Sequence, residues 1–193
     1  MKNFKVTAVE DGKEYWISRA HAVVGIVYAQ IPGKKRYDFL VLQRGEGCPD
    51  NVGKWSCVCG YLDWGETRKQ AVQREIWEEL GIQVSLDQIE PFCEVDDPRR
   101  DPRQNIVSRY VVRIEYNDLM RMLQDGTING HTEQRGGEPN ETMGVDFICI
   151  NEIYKKEWAF NHGEVLREAY RFIKGKDNKI PYYSDPIVGD PED

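Results

Sequence analysis

Three glutamates at helical spacing are the side chains in this sequence best suited to chemistry. Glu75, Glu78 and Glu79 stand at positions i, i+3 and i+4, which places their carboxylates on one face of a helix. Like charges at this spacing destabilise an isolated helix, whereas a bound divalent cation makes the same cluster favourable. The spacing therefore predicts either a solvated acidic face or a site for a hard metal ion.

The helix that carries these acids has recognisable ends. Thr67 is a suitable N-cap, and Gln70 three residues later completes a capping box. Gly81 is a natural C-terminal stop. The helix also has an apolar stripe with a spacing of four residues, which predicts that one side packs on a core. The stripe consists of Val72, Ile76 and Leu80.

The stretch from Gly60 to Ile82 matches a longer pattern, G-x5-E-x7-R-E-U-x-E-E-x-G-U, in which U is a bulky aliphatic residue. The matched positions are Gly60, Glu66, Arg74, Glu75, Ile76, Glu78, Glu79, Gly81 and Ile82. This pattern is the Nudix box, and the sequence resembles the Nudix hydrolase family. The resemblance implies an α/β fold, namely an α/β/α sandwich with a mixed, partly antiparallel sheet.

The resemblance also implies a site for Mg²⁺ or Mn²⁺, since these ions prefer oxygen ligands. The expected metal ligands are Gly60 through its carbonyl and Glu66, Glu75, Glu78 and Glu79 through their carboxylates. Arg74 precedes Glu78 by four residues and is expected to hold the carboxylates in place. We group it with the catalytic residues for that reason.

The general base is expected to be a glutamate, either from the box or from the long polar segment 126–142. Glu138 and Glu141 are the catalytic candidates in that segment, and Glu133 and His131 are weaker ones. A segment of this length in a compact domain is typical of a lid or of a disordered loop. Each acid has an alternative interpretation as an exposed loop residue.

Arginines supply the candidates for binding substrate phosphates, because guanidinium groups bind phosphate oxygens bidentately. They are Arg44 at the end of a predicted strand, and Arg99, Arg100 and Arg103 in the loop 96–103. A surface cation and a solvated turn are the respective alternatives. The loop, DDPRRDPR, and the segment WAFNH at 158–162 resemble the ADP-ribose pyrophosphatase branch of the family.

The composition limits the partners of this chain. Its 193 residues include 33 acidic and 26 basic side chains, giving a formal net charge of −7. An acidic chain is a poor match for a polyanion, so no nucleic-acid partner is expected. No apolar run is long enough to span a bilayer, so no membrane partner is expected. A homodimer is left open, with Trp16 and Trp64 available for core or dimer packing.

The cysteines favour a reducing compartment. An odd number without framework spacing predicts free thiols and a cytoplasmic location. They are Cys48, Cys57, Cys59, Cys93 and Cys149. Cys57 and Cys59 are expected to point the same way from a strand. They also suggest two alternatives, a reactive thiol at Cys59 and an isopentenyl diphosphate isomerase, although the complete hydrolase box argues against the isomerase.

The remaining chain predicts a single domain. A hairpin is expected around residues 11–12, followed by two antiparallel neighbouring strands joined by a Pro-Gly turn. The predicted strands cover 20–31, 37–44, 55–59, 84–94, 105–116 and 144–150, and the last helix covers 164–174. Residues 1–174 are expected to form one Nudix hydrolase domain, and 175–193 a C-terminal tail.

The function that the resemblance implies is hydrolysis of a nucleoside diphosphate linked to another moiety, with ADP-ribose-like substrates preferred. Two alternatives remain. One is a sensor that binds ADP-ribose-like ligands without catalysis, and the other is a pyrophosphatase that removes damaged nucleoside triphosphates.

Overall fold

The computed structural model describes residues 3–10, 12–101, 103–129 and 131–177, and these contain the following elements. The strands are β1 (Phe4–Thr7), β2 (Glu14–Ile17), β3 (His21–Gln30), β4 (Tyr37–Arg44), β5 (Trp55–Ser56), β6 (Val58–Tyr61), β7 (Ile89–Val95), β8 (Ile106–Arg113) and β9 (Thr142–Cys149). The helices are α1 (Arg68–Leu80), α2 (Tyr116–Gln124) and α3 (His162–Asp177), with short 3-10 helices at Thr132–Arg135 and Ile150–Lys155.

A mixed sheet forms the centre of the molecule. Its strands run in the order β5-β4-β3-β8-β7, and in addition β6 pairs with β3 and β9 pairs with β4. Strand β3 is antiparallel to β4 and β6 but parallel to β8. The predicted antiparallel pairing of the two long apolar strands is therefore confirmed. Strands β1 and β2 form the expected hairpin as a separate sheet, although Asp11 in its turn lies outside the described residues.

Helices cover both faces of the central sheet. Helix α1 packs in one core with Val23 and Leu40, and α3 packs in another with Val24 and Phe39. Because successive residues of a strand point to opposite faces, β3 and β4 supply both cores, which explains their nearly continuous apolar sequences. The α/β/α sandwich with a mixed sheet is confirmed.

Both predicted ends of α1 are confirmed. The Thr67 side chain accepts a hydrogen bond from the Gln70 backbone N–H, and the Gln70 side chain accepts one from the Thr67 backbone N–H at 2.8 Å. At the other end Gly81 adopts a left-handed conformation, with φ of 73°, and donates its N–H to the Trp77 carbonyl. Glycine adopts this conformation without steric cost, so the helix stops there.

Several boundaries differ from those expected. Strand β8 ends at Arg113, and α2 begins at Tyr116, whose ring packs 6.2 Å from that of Phe147. Helix α3 begins at His162 and extends to Asp177, three residues past the expected end at 174. The division at 174 stays a prediction, since most of the expected tail, residues 178–193, lies outside the described part of the chain.

Candidate active site

Two of the clustered glutamates on α1 are buried. Glu75 is 7% exposed and Glu79 is 4% exposed, because this face of α1 packs on β6. Glu79 accepts a hydrogen bond from the Cys59 backbone N–H at 3.3 Å. The acidic face therefore lies against the sheet, which excludes the solvated surface that was its alternative interpretation.

Gly60 on β6 lies directly against this acidic face. A Cβ atom at position 60 would lie 2.0 Å from Oε1 of Glu75 and 2.3 Å from its carboxyl carbon. Any other residue would push the carboxylate away, so the glycine brings the Glu75 carboxylate and the backbone of β6 into one site.

Arg74 connects the acidic residues to one another. Its guanidinium donates to Glu66 at 2.8 and 3.1 Å, to Glu75 at 2.7 Å and to Glu78 at 3.0 Å. It also donates to the Tyr61 carbonyl at 3.0 Å, which links α1 to the end of β6. This geometry supports a positioning role for Arg74, and that role stays a prediction.

Burial makes the two buried glutamates, Glu75 and Glu79, harder to ionise. It raises the pKa of Glu75 to about 7, even though the neighbouring Arg74 acts to lower it. Burial also raises the pKa of Glu79 well above its ordinary range, and the charge of Glu75 adds to the effect. Glu66 behaves in the opposite way, because the hydrogen bond from Arg74 lowers its pKa. Two adjacent buried carboxylates thus resist joint ionisation unless a cation neutralises them.

These donors fit a hard divalent cation by their chemistry. Carboxylate and backbone carbonyl oxygens are the ligands that Mg²⁺ and Mn²⁺ prefer, and the buried Glu75 and Glu79 lie beside the backbone of β6 at Cys59 and Gly60. Among the described residues, no three His, Cys, Asp or Glu side chains converge closely enough to hold an ion as they stand. Arg74 instead bridges three of the acids, so metal binding would require a shift of carboxylate rotamers.

The segment 126–142 brings one of its glutamates to the site. The Glu141 carbonyl accepts from the Gly45 N–H at 2.7 Å, which docks the end of this segment beside β4. The Glu141 side chain is half-buried and lines the cavity described below, and burial raises its pKa. Glu138 and Glu133 are exposed and do not line the cavity, and His131 pairs with Glu133 at 3.6 Å.

A cavity of about 680 Å³ adjoins Gly60 on the α3 side of the sheet. Arg44, Arg100 and Arg103 line it, as do Cys59 and Glu141. Arg99 does not, because its side chain is 88% exposed and pairs with Asp97 at 2.7 Å. Three of the four predicted phosphate-binding arginines therefore share one cavity with the candidate base.

Two of these arginines lie close to one aromatic ring, that of Phe160. The guanidinium carbons of Arg44 and Arg103 lie 5.3 and 5.5 Å from the centre of the Phe160 ring, and both arginines pair with Asp50. Phe160 has a φ of 53°, a conformation that is costly for a bulky side chain. Such strain is typical of functional sites, and here it presents a half-exposed ring at the cavity.

Sequence reasoning assigned no role in the site to three residues that line the cavity: Arg109, Phe160 and His162. The signal for Arg109 was a charged residue inside a β-branched strand. His162 is 4% exposed and accepts a hydrogen bond from the Cys57 N–H at 3.1 Å, and burial lowers its pKa to about 3. Phe160 and His162 belong to the segment WAFNH, whose resemblance indicated a branch of the family but no role for either side chain.

The two neighbouring cysteines behave as structural residues. Cys57 and Cys59 both pack in the core on the α3 side, so they point the same way as predicted. Burial raises the pKa of Cys57 to about 12 and that of Cys59 well above its ordinary range. A thiolate is thus disfavoured, which weakens the reactive-thiol alternative. All five cysteines are free.

Comparison with known proteins identifies the class. The NUDIX domain family model matches residues 19–169. A stretch of 30 residues, 16% of the chain, is 53% identical to Nudix hydrolase 19, chloroplastic, of Arabidopsis thaliana, and it spans 7% of the length of that protein. Since the family model covers most of the chain, the protein belongs to the NUDIX family.

Solved structures show the same fold. The NUDIX domain of Shewanella oneidensis NrtR, complexed with ADP ribose, has a TM-score of 0.61 at 16% identity, covering 81% of this chain and 90% of that one. A mutT/nudix family protein from Listeria innocua has a TM-score of 0.60 at 22% identity, covering 83% and 97%. A C. elegans Ap4A hydrolase has a TM-score of 0.55 at 18% identity, covering 80% and 98%.

Proposed function

We propose that this protein is a metal-dependent pyrophosphohydrolase that cleaves a nucleoside diphosphate linked to another moiety. The observation that carries the proposal is the pair of buried carboxylates, Glu75 and Glu79, beside Gly60 at the border of an arginine-lined cavity. Burying two acids is costly unless a cation compensates them, and a cation there would adjoin the cavity.

Glu75, Glu78 and Glu79, with the Gly60 carbonyl, are the residues that would hold Mg²⁺ or Mn²⁺. When bound, the ion neutralises phosphate oxygens and makes water a better nucleophile. Arg74 keeps the carboxylates oriented through the hydrogen bonds described above. Glu66 supports the same arrangement by accepting from both Arg74 and the Asp63 N–H, the latter at 2.8 Å.

The cationic wall of the cavity would bind the diphosphate. Arg44, Arg100 and Arg103 can donate to its oxygens and offset their charge. Water attacks one phosphorus, the bridging P–O bond breaks, and its electrons leave with the second phosphate. The products are a nucleoside monophosphate and a phosphorylated remainder.

Glu141 is the base that the geometry favours over Glu138. It lines the cavity and is half-buried, whereas Glu138 is exposed. Burial raises the pKa of Glu141, which strengthens its carboxylate as a proton acceptor. In the proposed reaction Glu141 takes the proton that the attacking water releases.

ADP-ribose-like compounds are the proposed substrates. The NrtR domain with the same fold binds ADP ribose, and the cavity is of the size that accommodates small organic ligands. Binding without turnover is the second candidate function, because a likeness to a domain that binds ADP ribose fits binding alone as well as it fits hydrolysis. A nucleoside triphosphate is the third substrate class to test.

Replacement of Glu79 by Gln tests the proposal. We expect the wild type to hydrolyse ADP-ribose with Mg²⁺ or Mn²⁺ and Glu79→Gln to lose about a hundredfold in kcat, since the neutral amide is a poor metal ligand. The assay measures AMP and ribose phosphate release, with nucleoside triphosphates in the panel. Glu14→Gln, at an exposed acid of the hairpin, is the control.

An unchanged rate for Glu79→Gln would contradict the metal role. Tight ADP-ribose binding by the wild type without product would instead identify the sensor.

The sequence also led to expectations about membranes, cellular location, oligomeric state and nucleic acid. No helix in the described residues is long and apolar enough to cross a membrane. A cytoplasmic location, a homodimer and the lack of a nucleic-acid partner stay predictions.

A further inference from the structure

Arg109 lines the cavity and carries an unused hydrogen-bond donor, its Nε–H, which is buried just beneath the cavity surface. It lies on β8 opposite Val24 of β3 and is 5% exposed. Its Nη1 donates to Glu168 of α3 at 3.1 Å, but its Nε–H has no acceptor. Within the described residues this Nε is the one buried side-chain nitrogen or oxygen that lacks a hydrogen-bond partner.

A buried donor without an acceptor destabilises the fold, so such a group points to a partner that arrives from elsewhere. The partner must offer a lone pair. Glu168 compensates the positive charge of Arg109 one to one. By contrast, Arg44 and Arg103 share the single carboxylate of Asp50 and keep a net positive charge. The Arg109 guanidinium therefore has less attraction for a second anion. An uncharged acceptor is therefore a better match for Nε–H than a phosphate.

The surroundings of Arg109 fit an organic ring. Val24, Val95 and Val107 give this wall of the cavity an apolar surface. His162 adds a second donor, because its Nδ1 accepts from the Cys57 N–H and its remaining ring proton is therefore on Nε2. Apolar walls with a few placed donors are characteristic of sites that recognise small organic groups.

We propose that Arg109 is a specificity-determining residue whose Nε–H, after a small shift of the side chain toward the cavity, donates to an uncharged oxygen or nitrogen acceptor on the organic moiety of the substrate. The substrate class is a diphosphate ester that carries a nucleobase or a sugar with such an acceptor. This inference rests on the proposed function and adds which part of the substrate this wall recognises.

Binding of three ligands shows which part of such a substrate Arg109 contacts. ADP-ribose contains adenosine, diphosphate and the terminal ribose, ADP lacks the terminal ribose, and inorganic pyrophosphate lacks both organic groups. Dissociation constants for all three are measured by calorimetry with Mg²⁺, together with KM and kcat for ADP-ribose.

The variants are Arg109→Met and Arg109→Lys, with Arg113→Met as the matched control. Arg113 is also on β8, but its side chain is 49% exposed and does not line the cavity. Arg109→Lys keeps a positive charge near Glu168 and lacks the Nε–H donor, so it remains informative if Arg109→Met fails to fold.

We expect both Arg109 variants to weaken ADP-ribose binding and to raise its KM by about tenfold or more, with a smaller effect on kcat. Pyrophosphate binding should change by less than about twofold, and Arg113→Met should match the wild type. An equal loss for ADP places the contact on the adenosine, whereas unchanged ADP binding places it on the terminal ribose.

Two results would overturn the inference. One is an equal loss for pyrophosphate, which would make Arg109 a phosphate ligand. The other is an Arg109→Lys variant that binds ADP-ribose as tightly as the wild type, which would show that Arg109 acts only through its ion pair with Glu168. If the wild type binds ADP-ribose without hydrolysing it, the proposed function fails while the dissociation constants still decide the role of Arg109.

Discussion

Gly60 and Glu75 show how one residue without a side chain determines the position of a functional one. The carboxylate of Glu75 occupies the space that a Cβ at position 60 would take. The same carboxylate accepts from Arg74 at 2.7 Å, so it is held from two sides. This close fit makes residue 60 a sensitive point of the site.

We expect Gly60→Ala to lower kcat by about a hundredfold, because the added methyl group would displace the Glu75 carboxylate by an ångström or more. Gly144→Ala is the control, since a Cβ there meets the flexible Gln43 side chain at 3.2 Å. The measurement is steady-state hydrolysis of ADP-ribose with Mg²⁺. Equal rates for the two variants would show that the close approach at Gly60 has no role in catalysis.

His162 links the pH of the solution to stability. Burial lowers its pKa from 6.5 to about 3, so between these values the unfolded chain binds a proton that the folded chain does not. The contribution of a neutral His162 to the free energy of unfolding is thus complete above pH 6.5 and is lost as the pH falls toward 3.

We expect the free energy of unfolding to fall, through this group, by up to about 1.4 kcal/mol per pH unit below pH 6.5. His162→Gln should lack this component, because its amide accepts the Cys57 N–H and does not titrate there. Urea unfolding of both proteins at several pH values provides the comparison. Parallel pH profiles would refute the assignment.

Helix α1 is the element that organises the site. Its capping box and Gly81 determine where it begins and ends, and its two faces serve different purposes. One face supplies Val72 and Ile76 to the core, and the adjacent face holds Glu75 and Glu79 against β6. The segment before β9 then completes the site, because Arg135 donates to the Glu78 carbonyl at 3.0 Å.

Replacement of the N-cap tests how far the stability of α1 depends on local contacts. Thr67→Ala should lower the free energy of unfolding by about 1 kcal/mol, since it removes the acceptor for the Gln70 N–H. Thr67→Ser keeps the hydroxyl oxygen and should match the wild type in urea unfolding. A loss of the same size in Thr67→Ser would show that packing of the methyl group, rather than capping, is responsible.

At the scale of the whole molecule, the sheet separates two kinds of binding surface. The acidic face of α1 lies against one side of β6, and the arginine-lined cavity lies on the α3 side. Gly60 and Glu141 are at the junction of the two. Cation and diphosphate would therefore meet at the edge of β6.

Metal binding should stabilise the folded molecule, because the buried carboxylates exist as a set only in the native state. We expect saturating Mg²⁺ to raise Tm, with a gain of about 2.7 kcal/mol when its concentration is a hundred times Kd. Chelation with EDTA should reverse the shift, and Glu75→Gln/Glu79→Gln should abolish it. A shift that persists in the double variant would place the ion elsewhere.

Much of the site could be predicted because its pattern is local. The spacing of Glu75, Glu78 and Glu79 follows from the helical repeat, and the caps of α1 follow from side chains three residues apart. The choice among the loop residues could not be predicted. Glu141 differs from Glu138, and Arg103 from Arg99, through contacts with residues that are distant in sequence, such as Gly45 and Asp50.

The sequence by itself determined the class of the protein, the helix that carries the acids and the apolar strands of the sheet, because backbone propensities and side-chain periods act over a few neighbouring residues. Only the tertiary structure decided that Glu75 and Glu79 are buried and that Arg109 lines a cavity while its buried Nε–H lacks an acceptor. Burial and pairing depend on which elements pack together, and β6, β8 and α3 meet only after the chain has folded.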